Sequence, residues 1–360
     1  MIRIDELYNN TFLPRLQARP DHALHWFDPF GSVRFADLCN VPPVDDKDCA
    51  VRYLFVDQEP VHTDQIDQTL KQFVEMFHSG QRHIVTSEYN SEYVDRIVNT
   101  YNFRSHYYFF HGWAALDWFR GYNRSFLMKP YNQRSIKRTF VAPNRIVAGE
   151  RQHRLIVLYY MFKLGLHDNH ISCPAVCPAE NIPIEEAIKP LQDRYPDIRE
   201  VFANTCFPKS FVGEANAPMH SYQLDLFEEC SQSLLYVVTE TVATGRRNHL
   251  TEKTFKPIAL KMPFVLVSTA HSLEYLRSYG FRTFGDIWDE TYDTILDDEV
   301  RYNAIARTLR DIDELPLRCR QRLLREAQAV CEHNYEHFYS GGFERILWAE
   351  LTDMLAELER

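Results

Sequence analysis

Residues 234–286 constrain the fold more than any other part of the chain, because apolar and amphipathic segments alternate there at regular intervals. An apolar run, typical of a buried strand, ends at Glu240. After a polar loop, Thr251 opens an amphipathic helix, and a second apolar strand over 262–267 is followed by another helix from about His271. This order predicts an α/β fold, in which ligands bind at the carboxyl ends of the strands.

The N-terminal part repeats the same alternation. Predicted strands cover 51–56, 83–86 and 106–110, and predicted helices cover 64–77, 91–101 and 113–120. Three consecutive strand–helix units favour a parallel sheet. A break near Arg145 predicts an N-terminal domain over 1–145, a second α/β domain over 146–340 and a final helix over 341–360.

Composition limits the class of protein. The chain has 360 residues, enough for two domains, and its 45% hydrophobic and 25% charged residues are typical of a globular protein. No stretch approaches the roughly 18 apolar residues of a membrane span, and the first residues lack the basic start and apolar block of a signal peptide. We therefore expect a cytoplasmic protein with no membrane span. The net charge of −10 argues against broad binding to nucleic acid.

The residues that could hold a metal ion form no strong motif. The eight cysteines are scattered, and we expect free thiols. Asp311-x-Asp313 is predicted to lie between helices rather than at the end of a strand. His333 and His337 share a helical face but lack the glutamate of an H-E-x-x-H zinc motif. The sequence therefore predicts no metal and no bound cofactor.

The stretch from Glu240 onward resembles the nucleotide-sugar-binding half of the fucosyltransferases and their phage-borne relatives. The positions that match the family pattern are Glu240, Asn248, Thr251, Glu252, Lys253 and Pro263. Two positions depart from it: Thr241 stands where the family usually has Asn, and His249 or Leu250 replaces a Tyr. The resemblance implies a glycosyltransferase with two Rossmann-like domains facing across a cleft (the GT-B arrangement) and a C-terminal helix that crosses back to the first domain.

This resemblance and the chemistry of sugar transfer together predict a donor site. The leaving phosphate develops negative charge, which cations and N–H groups must neutralise. Lys253 at a helix start suits the phosphate, Glu252 suits the ribose diol, and Glu240 would also bind the ribose or hold the sugar. The other residues expected to bind the donor nucleotide sugar are Arg145, Arg154, Arg246, Arg247, Asn248 and Thr251. For each arginine the alternative is a solvated surface charge.

An inverting transfer also needs a base for the acceptor hydroxyl. The strand ends of the N-terminal part supply the catalytic candidates Asp57, Glu59, Glu88 and His111. We favour Asp57 or Glu59, because side chains alternate along a strand and these two would point to the same side. The alternative for each candidate is a helix cap or a solvated loop residue, and a retaining mechanism would need no such base.

Three functions stay open. The first is a metal-independent glycosyltransferase that moves a sugar from a nucleotide diphosphate sugar to a carbohydrate or a similar hydroxyl acceptor. The second is a phage-encoded DNA glycosyltransferase that modifies hydroxymethylated pyrimidine bases in the host cytoplasm. The aromatic residues over 106–119 would stack on a flipped base, whereas the acidic charge weighs against this acceptor. The third is a nucleotide-binding protein without catalysis.

Overall fold

A computed structural model describes residues 3–16, 19–26, 49–61, 67, 70–71, 73–75, 80–123, 134–205 and 223–358. The chain divides into two compact units. Unit 1 contains Met1–Arg120, Arg246–His249 and Gly341–Arg360, and unit 2 contains Gly121–Gly245 and Leu250–Ser340. A four-residue segment from the middle of the unit 2 sequence therefore belongs to unit 1. The domain bounds expected from the sequence, 145/146 and 340/341, stay predictions.

Unit 1 is built on a four-stranded parallel sheet. Its strands are β1 (His22–Trp26), β2 (Val51–Val56), β3 (Gln81–Thr86) and β4 (Arg104–Tyr107), and they lie in that order. The parallel sheet predicted from the sequence is confirmed, and β1 is a strand that the sequence pattern did not indicate. All of β2 after its first residue is buried, as expected of a strand whose two faces are both covered.

The helices predicted over 91–101 and at the C-terminal end of the chain are confirmed, whereas the N-terminal helices were not predicted. The main helices are Glu92–Tyr101, Phe110–Phe119 and Gly342–Leu358, and a shorter N-terminal series comprises Ile4–Leu7, the π-helical turn Tyr8–Phe12, and Leu13–Leu16. The strand predicted over 106–110 is wrong at its carboxyl end, because β4 stops at Tyr107 and a helix begins at Phe110. A short apolar run does not distinguish a strand from a buried helix. The helix expected over 64–77 lies largely outside the described residues.

The C-terminal helix Gly342–Leu358 packs within unit 1. A Cβ atom at Gly112 would lie 2.8 Å from the Phe343 ring, so the helices approach too closely at this point for a larger residue. Glu350 accepts a hydrogen bond from the Phe109 backbone N–H at 2.8 Å. The last helix of the chain therefore covers the helix that follows β4.

Unit 2 contains a second parallel sheet. Its strands are β5 (Arg138–Ala142), β6 (His170–Ile171), β9 (Ser233–Thr239) and β10 (Phe264–Val267), and they lie in the order β10-β9-β5-β6. Between β6 and β9 in the sequence, β7 (Val176–Cys177) and β8 (Ile182–Pro183) form a small antiparallel pair. The strand order reverses at β5, which has β6 on one side and β9 on the other. Open α/β sheets bind ligands at such a reversal, outside the carboxyl ends of the strands.

Unit 2 also contains a series of α-helices. They are His153–Lys163, Ile184–Ala187, Ile198–Ala203, Phe227–Gln232, Glu252–Ala259, Ser272–Ser278, Asp298–Asp313 and Leu317–Tyr339. Short 3-10 helices are Gly149–Arg151, Leu166–Asp168, Lys189–Leu191 and Thr291–Thr294, and Arg120–Asn123 joins the two units in sequence.

The Asp311-x-Asp313 pair lies inside the end of the helix Asp298–Asp313 and not between two helices, so that prediction is wrong. Asp313 accepts hydrogen bonds from the Thr139 hydroxyl and from the Asn169 side-chain amide, the latter at 3.2 Å. Thr139 belongs to β5, and Asn169 directly precedes β6. Asp313 therefore connects this helix to the sheet.

Candidate functional site

The carboxyl ends of β5 and β9 lie side by side at the strand reversal in unit 2. All of β9 is buried, and Glu240, which follows it, is 0% exposed. After β5, the Asn144 backbone N–H donates to Ser172 Oγ at 2.9 Å, and Arg145 comes next and is partly exposed. Two of the predicted donor residues, Glu240 and Arg145, therefore follow adjacent strands of one sheet.

The Glu240 carboxylate is saturated with hydrogen bonds. Its Oε1 accepts from the Thr251 backbone N–H at 3.0 Å and from Thr254 Oγ1 at 2.6 Å. Its Oε2 accepts from the Thr241 backbone N–H at 3.1 Å and from Thr251 Oγ1 at 2.6 Å. We call Glu240, Thr241, Thr251 and Thr254 the Glu240 cluster. It joins the end of β9 to the first turn of the next helix, and a contact between Glu240 and a donor sugar stays a prediction.

The helix Glu252–Ala259, named the Lys253 helix below, begins on this cluster. Thr251 caps it by accepting a hydrogen bond from the Lys253 backbone N–H at 3.4 Å, so the predicted helix start is confirmed. Lys253 Nζ donates to Thr241 Oγ1 at 3.0 Å and to Glu252 Oε1 at 2.8 Å. The Lys253 side chain is 29% exposed and that of Glu252 is 4% exposed. A solvent-accessible cation and a held carboxylate thus lie at the N-terminal end of a helix.

Arg154 is buried beneath the same strand ends. Its Nη2 donates to the carbonyl oxygens of Thr239 at 3.3 Å and Glu240 at 3.1 Å, and its Nη1 donates to that of Ile146 at 2.8 Å. Burial lowers the pKa of Arg154 to about 10, so the guanidinium keeps its charge at neutral pH. Arg154 therefore connects the loop after β5 to the end of β9 and places a positive charge below the candidate site.

Arg301 and Tyr302 hold the loop after β9 and were missed by the sequence reasoning. Arg301 donates to the Ala243 carbonyl at 2.8 Å and to the Ser268 carbonyl at 2.9 Å, and the Tyr302 hydroxyl donates to Ala243 at 2.7 Å. Ser268 follows β10, so Arg301 links the loops after two neighbouring strands. An arginine in the first turns of an amphipathic helix gives no local signal for this role, because a solvated arginine produces the same pattern.

In unit 1, Asp57 follows β2 and is 1% exposed. Its Oδ2 accepts hydrogen bonds from the hydroxyls of Tyr108 at 2.5 Å and Tyr8 at 2.8 Å. Its Oδ1 makes no hydrogen bond to the part of the chain that the structure describes. Burial raises the pKa of Asp57 to about 6, although the two phenols lower it. We call Asp57, Tyr8 and Tyr108 the Asp57 cluster. Carboxyl groups with a perturbed pKa are concentrated at functional sites.

Glu88 and Arg247 come together as a buried ion pair. Arg247 Nη1 lies 3.1 Å from Glu88 Oε1, and the two side chains are 5% and 0% exposed. Glu88 also accepts hydrogen bonds from the Val61 backbone N–H and from the Ser91 hydroxyl, both at 2.6 Å. Ser91 in turn caps the helix Glu92–Tyr101, within one residue of the predicted helix start. The base role of Glu88 and the donor-binding role of Arg247 stay predictions.

The remaining predicted residues of unit 1 take different positions. Arg246 pairs with Asp95 at the surface, at 2.7 Å, and Asn248 is paired with Tyr89 through its backbone. His111 lies in the first turn of a helix rather than at a strand end, and its buried ring is 4.9 Å from that of His249.

The expected alignment of Asp57 and Glu59 assumed that both residues continue the strand, and this premise is wrong. Both residues lie beyond the end of β2, where the chain bends, so the alternation of side chains along a strand does not apply to them. Asp57 is buried, whereas Glu59 is partly exposed. The two candidate bases therefore differ in access to an acceptor.

His333 and His337 lie on one face of the helix Leu317–Tyr339, with stacked rings 6.0 Å apart. The Nε2 atoms lie 3.0 Å from the Gly280 carbonyl and 2.7 Å from the Tyr279 carbonyl, respectively, so the pair connects two parts of unit 2. Within the described ranges, no group of three or more His, Cys, Asp or Glu side chains is arranged to hold a metal ion. Cys173, Cys177, Cys230 and Cys319 are free thiols, as predicted. In the same ranges, no helix is long and apolar enough to cross a membrane.

Comparison of the chain with models of protein families and with curated proteins gave no match. The resemblance to the fucosyltransferases therefore rests on residues 234–286 alone.

Proposed function

We propose that this protein is a glycosyltransferase that moves a sugar from a nucleotide diphosphate sugar to a hydroxyl group of a carbohydrate or similar acceptor. In this proposal unit 2 binds the donor and unit 1 binds the acceptor, as two Rossmann-like domains of the GT-B arrangement. The observation that carries the proposal is the pair Glu252 and Lys253, at a helix N-terminus that follows the strand next to a reversal of strand order. A cation for phosphate and a carboxylate for a diol suit a sugar nucleotide at this position.

Lys253 is assigned to the diphosphate. When the bond between the anomeric carbon and the phosphate oxygen breaks, negative charge develops on the leaving diphosphate, and a fixed ammonium group and a helix N-terminus stabilise it. Lys253 Nζ is held by Thr241 Oγ1 at 3.0 Å and by Thr251 Oγ1 at 3.3 Å, so binding restricts its side chain little further. Charge stabilisation by groups of the chain itself supports a reaction without a bound metal ion.

Glu252 is assigned to the ribose. A carboxylate accepts hydrogen bonds from both hydroxyls of a vicinal diol. Its contact with Lys253 at 2.8 Å fixes its orientation. In this proposal Glu240 acts through its neighbours. Its hydrogen bonds with Thr251 and Thr254 set the geometry of the turn that carries Glu252 and Lys253.

The acceptor proton is assigned to a carboxylate after β2. Glu59 is partly exposed, so an acceptor hydroxyl has access to it from solvent. Asp57 has a pKa of about 6, which favours proton transfer near neutral pH, but it is 1% exposed. Access therefore favours Glu59 as the group that takes the proton.

Calorimetric titration with uridine and guanosine diphosphates, followed by incubation with a panel of nucleotide sugars, tests the proposal. We expect Lys253→Ala to weaken nucleoside diphosphate binding about 10- to 100-fold, because a hydrogen bond to a charged group contributes about 1.5–3 kcal/mol. Lys189→Ala is the matched control, since Lys189 forms an exposed pair with Glu186 in the same unit. A wild-type protein that binds neither diphosphate and hydrolyses no nucleotide sugar would contradict the proposal.

A further inference from the structure

The segment Arg246–His249, named the anchored segment below, makes backbone hydrogen bonds to the rest of unit 1 through Arg246 and Asn248. The Asn248 N–H donates to the Tyr89 carbonyl at 2.7 Å, and the Tyr89 N–H donates to the Asn248 carbonyl at 2.9 Å. The Glu92 N–H donates to the Arg246 carbonyl at 2.9 Å, and the Glu92 carboxylate accepts from the Arg246 N–H at 3.0 Å. The backbone of the segment is therefore held on each side of its second residue.

That second residue, Arg247, points into the protein. Its Nη1 donates to Glu88 Oε1 at 3.1 Å and to the Val61 carbonyl at 3.0 Å, and its guanidinium carbon lies 4.4 Å from the centre of the Tyr93 ring. A planar guanidinium makes such ionic, hydrogen-bonding and stacking contacts at the same time. The neighbouring Arg246 has a side chain that is 61% exposed, so the segment contains its own surface control.

The buried Glu88 carboxylate depends on Arg247 for charge compensation. Its two oxygens accept hydrogen bonds from the Val61 N–H and the Ser91 hydroxyl, and Arg247 supplies the opposite charge. Removing one partner of a buried ion pair leaves an uncompensated charge, whereas removing one partner of an exposed pair has a small effect. Substitution at Glu88 or Arg247 should therefore release the anchored segment, and substitution at Arg246 should not.

We propose that Glu88 and Arg247 are a positioning pair that sets where the chain enters the Lys253 helix. Thr251 is three residues beyond Asn248, and three residues span at most about 10 Å. A fixed Asn248 thus restricts the location of Thr251, whose N–H donates to Glu240. The inference rests on the proposed function in so far as Lys253 binds the donor. It assigns Arg247 to support of the helix start instead of to direct contact with phosphate.

Backbone hydrogen exchange in the ligand-free protein tests the positioning pair. Arg247→Lys keeps the charge but loses the planar contacts, and Glu88→Gln keeps the size of the side chain. We expect each variant to raise the exchange rates of the Asn248 and Thr251 amides by about tenfold or more, and the double variant to add little, because the two residues act together. Arg246→Gln is the matched control and should leave both rates within about twofold.

An unchanged exchange rate at Thr251 in the Arg247 and Glu88 variants would overturn the inference, even with faster exchange at Asn248. If neither variant folds, Tyr93→Leu removes only the ring beside the guanidinium. It should raise both rates by about threefold, and no increase at Thr251 would again be decisive against the pair.

Titration with uridine and guanosine diphosphates separates this inference from the proposed function. If Arg247→Lys loses nucleotide affinity while the Thr251 exchange rate stays at the wild-type value, Arg247 is a ligand and the inference is wrong. If the wild-type protein binds no nucleotide, the proposed function fails, and the exchange rate at Thr251 still decides whether the pair positions the helix.

Discussion

Asp57 and Glu240 are acidic residues that directly follow buried strands, one in each unit, and they are 1% and 0% exposed. Glu240 accepts hydrogen bonds from two backbone N–H groups and two hydroxyls. Asp57 accepts from two phenols through one oxygen, and burial raises its pKa to about 6. The same sequence pattern therefore produces one carboxylate with many fixed donors and one with few. Burial alone therefore does not determine the role of an acidic residue at a strand end. That role depends on the fixed hydrogen-bond donors around the carboxylate.

Replacing each carboxylate by its amide should have the largest effect on stability of the three tests of this comparison. In Glu240→Gln the amide NH2 must face the backbone N–H of either Thr241 or Thr251, because each oxygen contacts one of them. Two donors then oppose each other, and we expect the free energy of unfolding to fall by about 3–5 kcal/mol. Asp57→Asn should lower it less at pH 7, because the two side chains that donate to Asp57, Tyr8 and Tyr108, do so through hydroxyls that rotate. Chemical denaturation measures the free energy of unfolding of both variants. Equal losses relative to the wild type would contradict the difference between Asp57 and Glu240.

The pH dependence of stability is the second test. The folded-state pKa of Asp57, about 6, lies above the ordinary value of 3.8, so between these values the folded protein binds more protons than the unfolded chain. The contribution of Asp57 to the free energy of unfolding should therefore decrease as the pH rises from about 4 to 6, by roughly 3 kcal/mol in total. The difference between wild type and Asp57→Asn, measured at each pH, isolates this contribution. A constant difference would show that Asp57 titrates like an exposed aspartate.

Removal of a single hydroxyl donor from each cluster should have the smallest effect on stability of the three tests. Thr254→Val removes one of four donors to the Glu240 carboxylate and should lower the free energy of unfolding by about 1.5–3 kcal/mol, equally at pH 5 and pH 8. Tyr108→Phe removes a phenol that lowers the pKa of Asp57, so that pKa should rise further and the loss should be greater at pH 8. Unfolding curves at the two pH values give both results. The same pH dependence in both variants would remove the distinction between the clusters.

The sequence predicted the elements whose signals are local. The apolar run 51–56 matches β2 residue for residue, and Ser91 and Thr251 cap the helices that they were expected to open. Caps and buried strands are specified within a few residues, so one sequence suffices to find them. The parallel sheet followed from the same signals, whereas β1, a short strand with two histidines, gave none.

Contacts between distant residues could not be read in the same way. Tyr8 and Tyr108 are 49 and 51 residues from Asp57, and Glu88 and Arg247 are 159 residues apart. Each of these residues has the appearance of an ordinary core tyrosine or surface charge in its own stretch of sequence. Which acid lacks fixed donors, and which arginine is buried, depends on packing that periodicity does not encode.

The position of the C-terminal helix has a consequence for protein synthesis. Glu350 contacts Phe109 across 241 residues of chain, which a ribosome adds in about ten seconds to one minute at 5–20 residues per second. During that interval the surface around Gly112, which Phe343 later covers, is exposed on the nascent chain. Unit 1 is therefore the first to emerge and the last to finish folding, and a chaperone that binds apolar surface would encounter it before unit 2.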